Sequence, residues 1–289
     1  MLLSFIASIA LINQKMISGE LQLFLRGNDN EIKISATHAN ASKASATATA
    51  TAIGTAIGTA TATATGTATA TATATATGTA SKVEHKLDEE KCRAAIKTAT
   101  DPLLKRKAVP SMLSTERKAN IVQLMTEAVL RPDLKGDWIE TGTWQGGASL
   151  IAAYVQKVAL EEPSCGPNVP KRKIWLADSF EGLPPEADQE SKVEGYAKDM
   201  DKAGSYAFEG GLDMVKNLFV KHGFEVDGSG NVPIHFIKGY FNDTLHDAPI
   251  EDIAILRLDG DMYASTLQAL FALYRRLRIN GYVIVSIKK

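Results

Sequence analysis

The sequence predicts an α/β fold, with a parallel sheet covered by helices on both faces. Three observations lead there. From Asp137 onward, short and nearly continuous apolar runs alternate with helix-like segments, the pattern of strands buried on both sides. A glycine-rich turn, Glu140 to Gly147 (ETGTWQGG), follows the first run and opens a helix. Chemically distinctive residues recur where strands end, at Glu140, Asp178, Gly239 and Asp259. Ligands of such sheets collect at the carboxyl ends of the strands.

The chain is not uniform along its length. Residues 1–40 carry no assigned element. They open with an apolar run, Met1 to Ile12, that is too short to span a bilayer as a helix. No Lys or Arg precedes that run and no small-x-small cleavage pattern closes it. A cytoplasmic location is therefore the expectation, with targeting left open. Residues 41–80 are almost pure Ala-Thr, which buries too little to offset its conformational entropy and reads as a disordered tether.

Residues 81–135 read as a helical amino-terminal extension. Lys82 to Thr98 is charged and mildly helical, punctuated afterwards by Pro102 and Pro110. Ser114 or Thr115 can cap a helix from Glu116 to Leu130, with Glu116 favourably placed in its first turn. Ile121, Leu124, Met125, Ala128 and Val129 fall on one face of it, a core-packing stripe. Pro132 and Gly136 end the element.

Residues 136–289 carry the βα units. Strand one is Asp137 to Ile139, followed by a helix from Ala148 to Val155, and strand two is Lys173 to Ala177. The loop Glu181 to Tyr206, charged and containing Pro184-Pro185, is long for a compact domain and suits a substrate lid. A helix from Leu212 to His222 leads to strand three, Pro233 to Lys238, and then Gly239-Tyr240, placed to sit beside a nucleobase. Ile253 to Leu258 is strand four, followed by Asp259-Gly260-Asp261-Met262-Tyr263. Thr266 to Leu277 is helical, Gly281 stops it, and Tyr282 to Ile287 is strand five.

Composition narrows the function. A net charge of −1, with Lys171-Arg172-Lys173 read as a solvated loop, excludes a nucleic-acid-binding surface. The two cysteines, Cys92 and Cys165, lie far apart and suggest neither a disulfide framework nor zinc. The five histidines have no metal-ligand spacing.

The candidate site is one for a nucleoside-bearing ligand. The strand, glycine turn and helix at 137–155 present backbone N–H groups to a ligand lying close to the main chain. Asp178, at the end of the next strand, can accept both hydroxyls of a ribose. A dinucleotide site prefers G-x-G-x-x-G, whereas here Gly142 is followed by Gly146-Gly147 with Glu140 at the strand end. A carboxylate aimed into the turn repels a pyrophosphate and suits a cation such as the amino group of S-adenosylmethionine.

Four segments in order, ETGTWQGGA, LADSFEGLPP, KGYFNDTL and LRLDGDMYAST, closely resemble the macrocin O-methyltransferase family, over about Ser111 to Val285. The resemblance implies a Rossmann-like class I fold, S-adenosylmethionine as cofactor, a divalent metal (usually Mg²⁺), and a small-molecule hydroxyl acceptor such as a sugar. Related enzymes tend to self-associate, so a homo-oligomer is an expectation too. By the same resemblance Glu140, Thr141, Gly142 and Gly146 would line the methionine end of the cofactor. Asp178 would hold the ribose, with Ser179, Phe180 and Gly239 beside the nucleoside, and Asp259 would bind the metal and serve as the base. Metal assistance makes chemical sense because a Lewis acid makes a sugar alkoxide accessible near neutral pH.

This sequence departs from the family at strand five, which the family ends in a pair of aspartates and this chain in Ser286-Ile287. Two further strands of such a fold are also expected to be missing, which would leave one sheet edge open. The alternative function is a non-catalytic remnant that binds the cofactor or a partner. A NAD-dependent oxidoreductase is the weaker third reading, since the turn lacks G-x-G-x-x-G.

Overall fold

A computed structural model describes residues 86–185, 187 and 203–286, together with the backbone of 21–22, 31–35 and 37–38. The apolar run at 1–12, the Ala-Thr tract at 41–80 and most of the expected lid lie outside the described residues.

In chain order, β1 (Leu21–Gln22), β2 (Glu31–Ser35) and β3 (Thr37–His38) precede α1 (Glu89–Leu104) and α2 (Thr115–Val129). Then come β4 (Asp137–Thr141), α3 (Gly147–Glu161), a 3₁₀ turn (Pro163–Cys165), β5 (Ile174–Asp178), α4 (Gly211–Lys221) and β6 (Ile234–Lys238). The short α5 (Phe241–Thr244), β7 (Ile253–Leu258), α6 (Tyr263–Leu273), a second 3₁₀ turn (Tyr274–Arg276) and β8 (Leu277–Ser286) complete the order.

The main sheet runs β2-β8-β7-β4-β5-β6. Its last five strands are parallel, as the alternation of strands and helices predicts. β4 lies between β5 and β7, so the chain winds outward in both directions from β4, and a crevice opens there at the strand ends.

Alternate residues of each strand feed two cores, because side chains on a strand repeat with period two. Trp138, Ile174, Leu176, Ile255 and Ile284 face α1, α2 and α3. Ile139, Trp175, Leu256, Leu258, Val283 and Val285 face α6 and the α5 segment. Leu150 and Ile151 on α3 are fully buried, each worth about 1.5–3 kcal/mol of transfer free energy.

Several expectations are corrected. The edge beside β8 is not left open, because β2 pairs there antiparallel, with Glu31 opposite Ser286 and Ser35 opposite Tyr282. An amino-terminal segment takes the antiparallel position at this edge of the sheet. Gly281 does not end a helix. Helix α6 stops at Leu273, and Gly281 lies inside β8, where an added Cβ would come 2.8 Å from the Ala254 carbonyl oxygen of β7. Helix α1 runs on through Pro102, which lies in its last turn. Ser114, rather than Thr115, caps α2 by accepting from the Arg117 N–H.

Cys92 and Cys165 form a disulfide across 73 residues of sequence. It joins α1 to the first 3₁₀ turn, a neighbour relation that sequence spacing does not carry. Arg172 is not on a solvated loop either. It is fully buried and donates to the carbonyl oxygens of Ala128, Leu134 and Gly136, at the end of α2 and the approach to β4. Burial pulls its guanidinium down to about 10. Lys171 and Lys173 on either side are exposed, as expected.

Candidate functional site

The turn after β4 is held from three sides. Asp178 Oδ2 at the end of β5 accepts the Thr143 N–H at 2.7 Å and the Trp144 N–H at 3.0 Å, and its Oδ1 accepts the Phe180 N–H at 2.8 Å. Burial pushes the Asp178 carboxyl above its ordinary range, against the pull of these amides. From the other side, Asp259 N–H donates to Thr141 O at 2.9 Å. A Cβ on Gly142 would fall 2.0 Å from the Asp259 carbonyl oxygen, so only glycine lets the turn lie this close to the end of β7. Underneath, Ser149 N–H and Oγ–H both donate to Glu140 Oε2.

Glu140 itself is buried among protein groups. Its Oε1 accepts from Arg257 Nη1 at 2.5 Å, and the two side chains are 2% and 1% exposed. Arg257 also donates to Asp259 Oδ2 at 2.7 Å and to Ser286 Oγ at 3.0 Å. Trp138 Nε1–H donates to Ser149 Oγ, which closes a polar chain under the turn. Burial outweighs the attraction of Arg257 and lifts the Glu140 carboxyl to about 7.

Above this chain lies a cavity of about 750 Å³ at the carboxyl ends of the strands, within the range of small-molecule sites. Gly142, Asp178, Ser179, Gly239 and Asp259, among the predicted site residues, line it. Glu140, Thr141, Gly146 and Phe180 do not. Thr141 is buried with its Oγ–H on the Arg257 carbonyl oxygen, and Phe180 packs edge-on against Phe236. Gly146 caps α3 at φ +81°, where a Cβ would meet Val215 at 2.7 Å. These four build the walls of the site from behind.

The cavity also has walls beyond the predicted site residues. Met112, Leu113 and Arg117 come from the segment that enters α2, and Pro184, Pro185 and Tyr206 from the two described ends of the expected lid. The 110–113 segment reaches the site because Gly147 lacks a side chain: a Cβ there would stand 2.1 Å from the Pro110 carbonyl oxygen. Trp144, Phe180 and Asp261 adopt positive φ at 46°, 56° and 63°. Non-glycine residues so placed cluster at functional sites, and these three follow the ends of three neighbouring strands. Arg257 left one signal in the sequence, a charge inside the apolar run Ile253 to Leu258, while Arg117 left none.

The profile of the Macrocin-O-methyltransferase (TylF) family matches residues 51–287. The chain is 34% identical over 176 residues to demethyldecarbamoylnovobiocin O-methyltransferase of Streptomyces niveus, covering 61% of each chain. It is 33% identical over 189 residues to the 8-demethyl-8-(2,3-dimethoxy-alpha-L-rhamnosyl)-tetracenomycin-C 4'-O-methyltransferase of Streptomyces olivaceus, covering 64% of this chain and 67% of that one. Against the first of these relatives the match thus spans about three fifths of the relative's length. The solved structure of the O-methyltransferase NovP superposes with a TM-score of 0.51 at 27% identity, covering 69% of this chain and 84% of that one.

Proposed function

The chain belongs to the macrocin O-methyltransferase family, and from that premise we propose that it methylates a hydroxyl of a sugar-bearing small molecule with S-adenosylmethionine. The observation that carries the reading is the cavity at the β4/β7 crevice, with Gly142, Asp178 and Asp259 on its walls. At about 750 Å³ it has room for a nucleoside cofactor and an acceptor side by side. The rhamnosyl group in the name of the Streptomyces olivaceus relative supports a sugar hydroxyl as the acceptor.

When bound, S-adenosylmethionine would supply the electrophilic methyl group for the acceptor oxygen and would leave as S-adenosylhomocysteine. The chain's own residues position and deprotonate. Asp178 has roughly four lone-pair sites, three of which take backbone N–H groups at 3.0 Å or less. It therefore orients one ribose hydroxyl more readily than two. Gly239 and Tyr240 border the nucleobase side, with Ser179 next to Asp178. Asp259 lines the cavity with a partly exposed carboxylate and is placed to take the acceptor proton. Glu140, Thr141, Gly146 and Phe180 act by holding this frame.

Mg²⁺ does not suit the groups described. It wants hard, mostly anionic oxygen ligands. One oxygen of the Asp259 carboxylate, Oδ2, is paired with the Arg257 guanidinium, a cation that repels Mg²⁺ and that also holds Ser286 at the end of β8. Among the described residues no group of three His, Cys, Asp or Glu is disposed to hold a metal. The proton transfer is assigned to Asp259.

The test is calorimetric titration of S-adenosylmethionine into the full chain, with and without Mg²⁺ and with NAD as control, followed by methyl transfer to rhamnosides. Micromolar or tighter binding, indifferent to Mg²⁺, with methylated product, is the expected result. Absence of binding at high concentration would sink the reading, and binding without turnover would favour the remnant.

A further inference from the structure

Four aspartates line the cavity, Asp178, Asp243, Asp259 and Asp261, against one basic residue among the described lining groups, Arg117. Asp259 is offset by Arg257 behind the wall, and Arg117 is the one described lining group suited to an anion. S-adenosylmethionine has an uncharged adenosine and carries a sulfonium, an ammonium group and a single carboxylate, all in its methionine half. We propose that Arg117 binds the carboxylate of the cofactor's methionine moiety; the inference rests on the cofactor reading above.

Two further observations support it. The glycine turn has few amides to spare for an anion. The N–H groups of Gly142, Thr143, Trp144, Gly146 and Ser149 all donate within the protein, to Ala177, Asp178, Thr143 and Glu140. A carboxylate at this end of the cavity is therefore better met by a side-chain donor. Arg117 lines the same cavity, and the segment leading into its helix is seated on the start of α3 through the Gly147–Pro110 contact. Arg117 sits in the first turn of α2, half-buried, with its own N–H capped by Ser114. Its guanidinium presents paired donors that suit a carboxylate. A neutral sugar acceptor offers no anion for it, whereas the cofactor always does.

The experiment uses the full chain and compares S-adenosylmethionine with its decarboxylated analogue, which keeps the sulfonium and adenosine but lacks the carboxylate. Wild type should bind the first ~10–100-fold more tightly, the range for one charge-assisted contact. Arg117→Gln should lose that advantage by weakening S-adenosylmethionine alone, and Arg117→Lys should restore part of it. Unchanged thermal midpoints would show that both variants fold.

Equal weakening of both ligands in Arg117→Gln would overturn the assignment in favour of a structural role. Unchanged cofactor affinity with a raised KM for the acceptor would overturn it in favour of acceptor binding. If wild type binds neither ligand, nor 5'-methylthioadenosine, the cofactor reading itself falls and this inference with it.

Discussion

Glu140 and Arg257 stand opposite each other on the adjacent parallel strands β4 and β7, with Arg257 Nη1 2.5 Å from Glu140 Oε1. Neither side chain is more than 2% exposed, so water cannot take over the charge of either. Removing one partner leaves an uncompensated buried ion, and such losses cost about 3–5 kcal/mol. Arg257→Met should therefore lower the unfolding free energy by about that amount at pH 8, where the carboxyl is ionised. Replacing both residues with Met should recover most of the loss, because apolar residues of similar volume often substitute for a buried pair at little cost. Urea denaturation of the three proteins tests this; a loss below about 1 kcal/mol in Arg257→Met would contradict it.

The same carboxyl makes stability depend on pH. Burial raises Glu140 from 4.5 to about 7 in the folded chain. Between those values the folded state keeps a proton that the unfolded state has released. The contribution is thus fully present below pH 4.5 and is lost as pH rises through 7. At about 1.4 kcal/mol per unit it amounts to roughly 3 kcal/mol. The Glu140→Gln variant has no such proton to lose. Its stability relative to wild type should rise between pH 5 and pH 8, and a constant difference across that range would show that Glu140 does not titrate there.

The parallel sheet was legible because its strands are buried on both faces and so read as apolar runs, as at Ile253–Leu258. Strand ends were legible for the same reason: the run stops where the cavity begins, at Asp178 and Asp259. What a side chain touches was not. Glu140 looks free to face a ligand until Arg257, 117 residues away, is brought beside it by the β4–β7 pairing. Arg172 looks solvated between two lysines because the carbonyl groups it satisfies come from other elements. The Cys92–Cys165 bond and the strand that covers β8 depend likewise on contacts distant in sequence. The resemblance supplied the cofactor, but its Mg²⁺ expectation is not supported where Arg257 occupies Asp259 and Ser286.

Cys92 and Cys165 are buried, and their bond ties α1 to the turn that follows α3. Closing a loop of 73 residues restricts the unfolded chain, by about 4 kcal/mol in the chain-entropy account and typically about 2–4 in practice. The Cys92→Ala/Cys165→Ala protein should show a lower thermal midpoint, insensitive to dithiothreitol. Wild type should lose a similar amount once reduced in denaturant and refolded with the reductant present. Thiol labelling checks the premise: wild type unfolded without reductant should take up no label, and uptake at both cysteines would mean the bond does not form.

Gly142 separates two demands that one glycine can meet together. Its φ of +82° disfavours any side chain, and a Cβ would also fall 2.0 Å from the Asp259 carbonyl oxygen and 2.6 Å from the carbonyl carbon. Backbone cannot yield as a flexible side chain can, so Gly142→Ala must push the turn away from the end of β7. Gly223 has a similar φ of +77°, but its Cβ would meet nothing nearer than Lys157 Nζ at 4.0 Å. Gly223→Ala should therefore cost about 1–2 kcal/mol of stability through backbone strain alone and leave cofactor binding as it is. Gly142→Ala should cost more and also weaken S-adenosylmethionine binding by at least ~10-fold, because the Thr141–Asp259 hydrogen bond and the cavity wall move with the turn. Paired denaturation and titration of the two variants make the comparison. Equal stability losses with equal affinities would mean that positive φ, rather than the approach of the turn to Asp259, is what the site requires at this position.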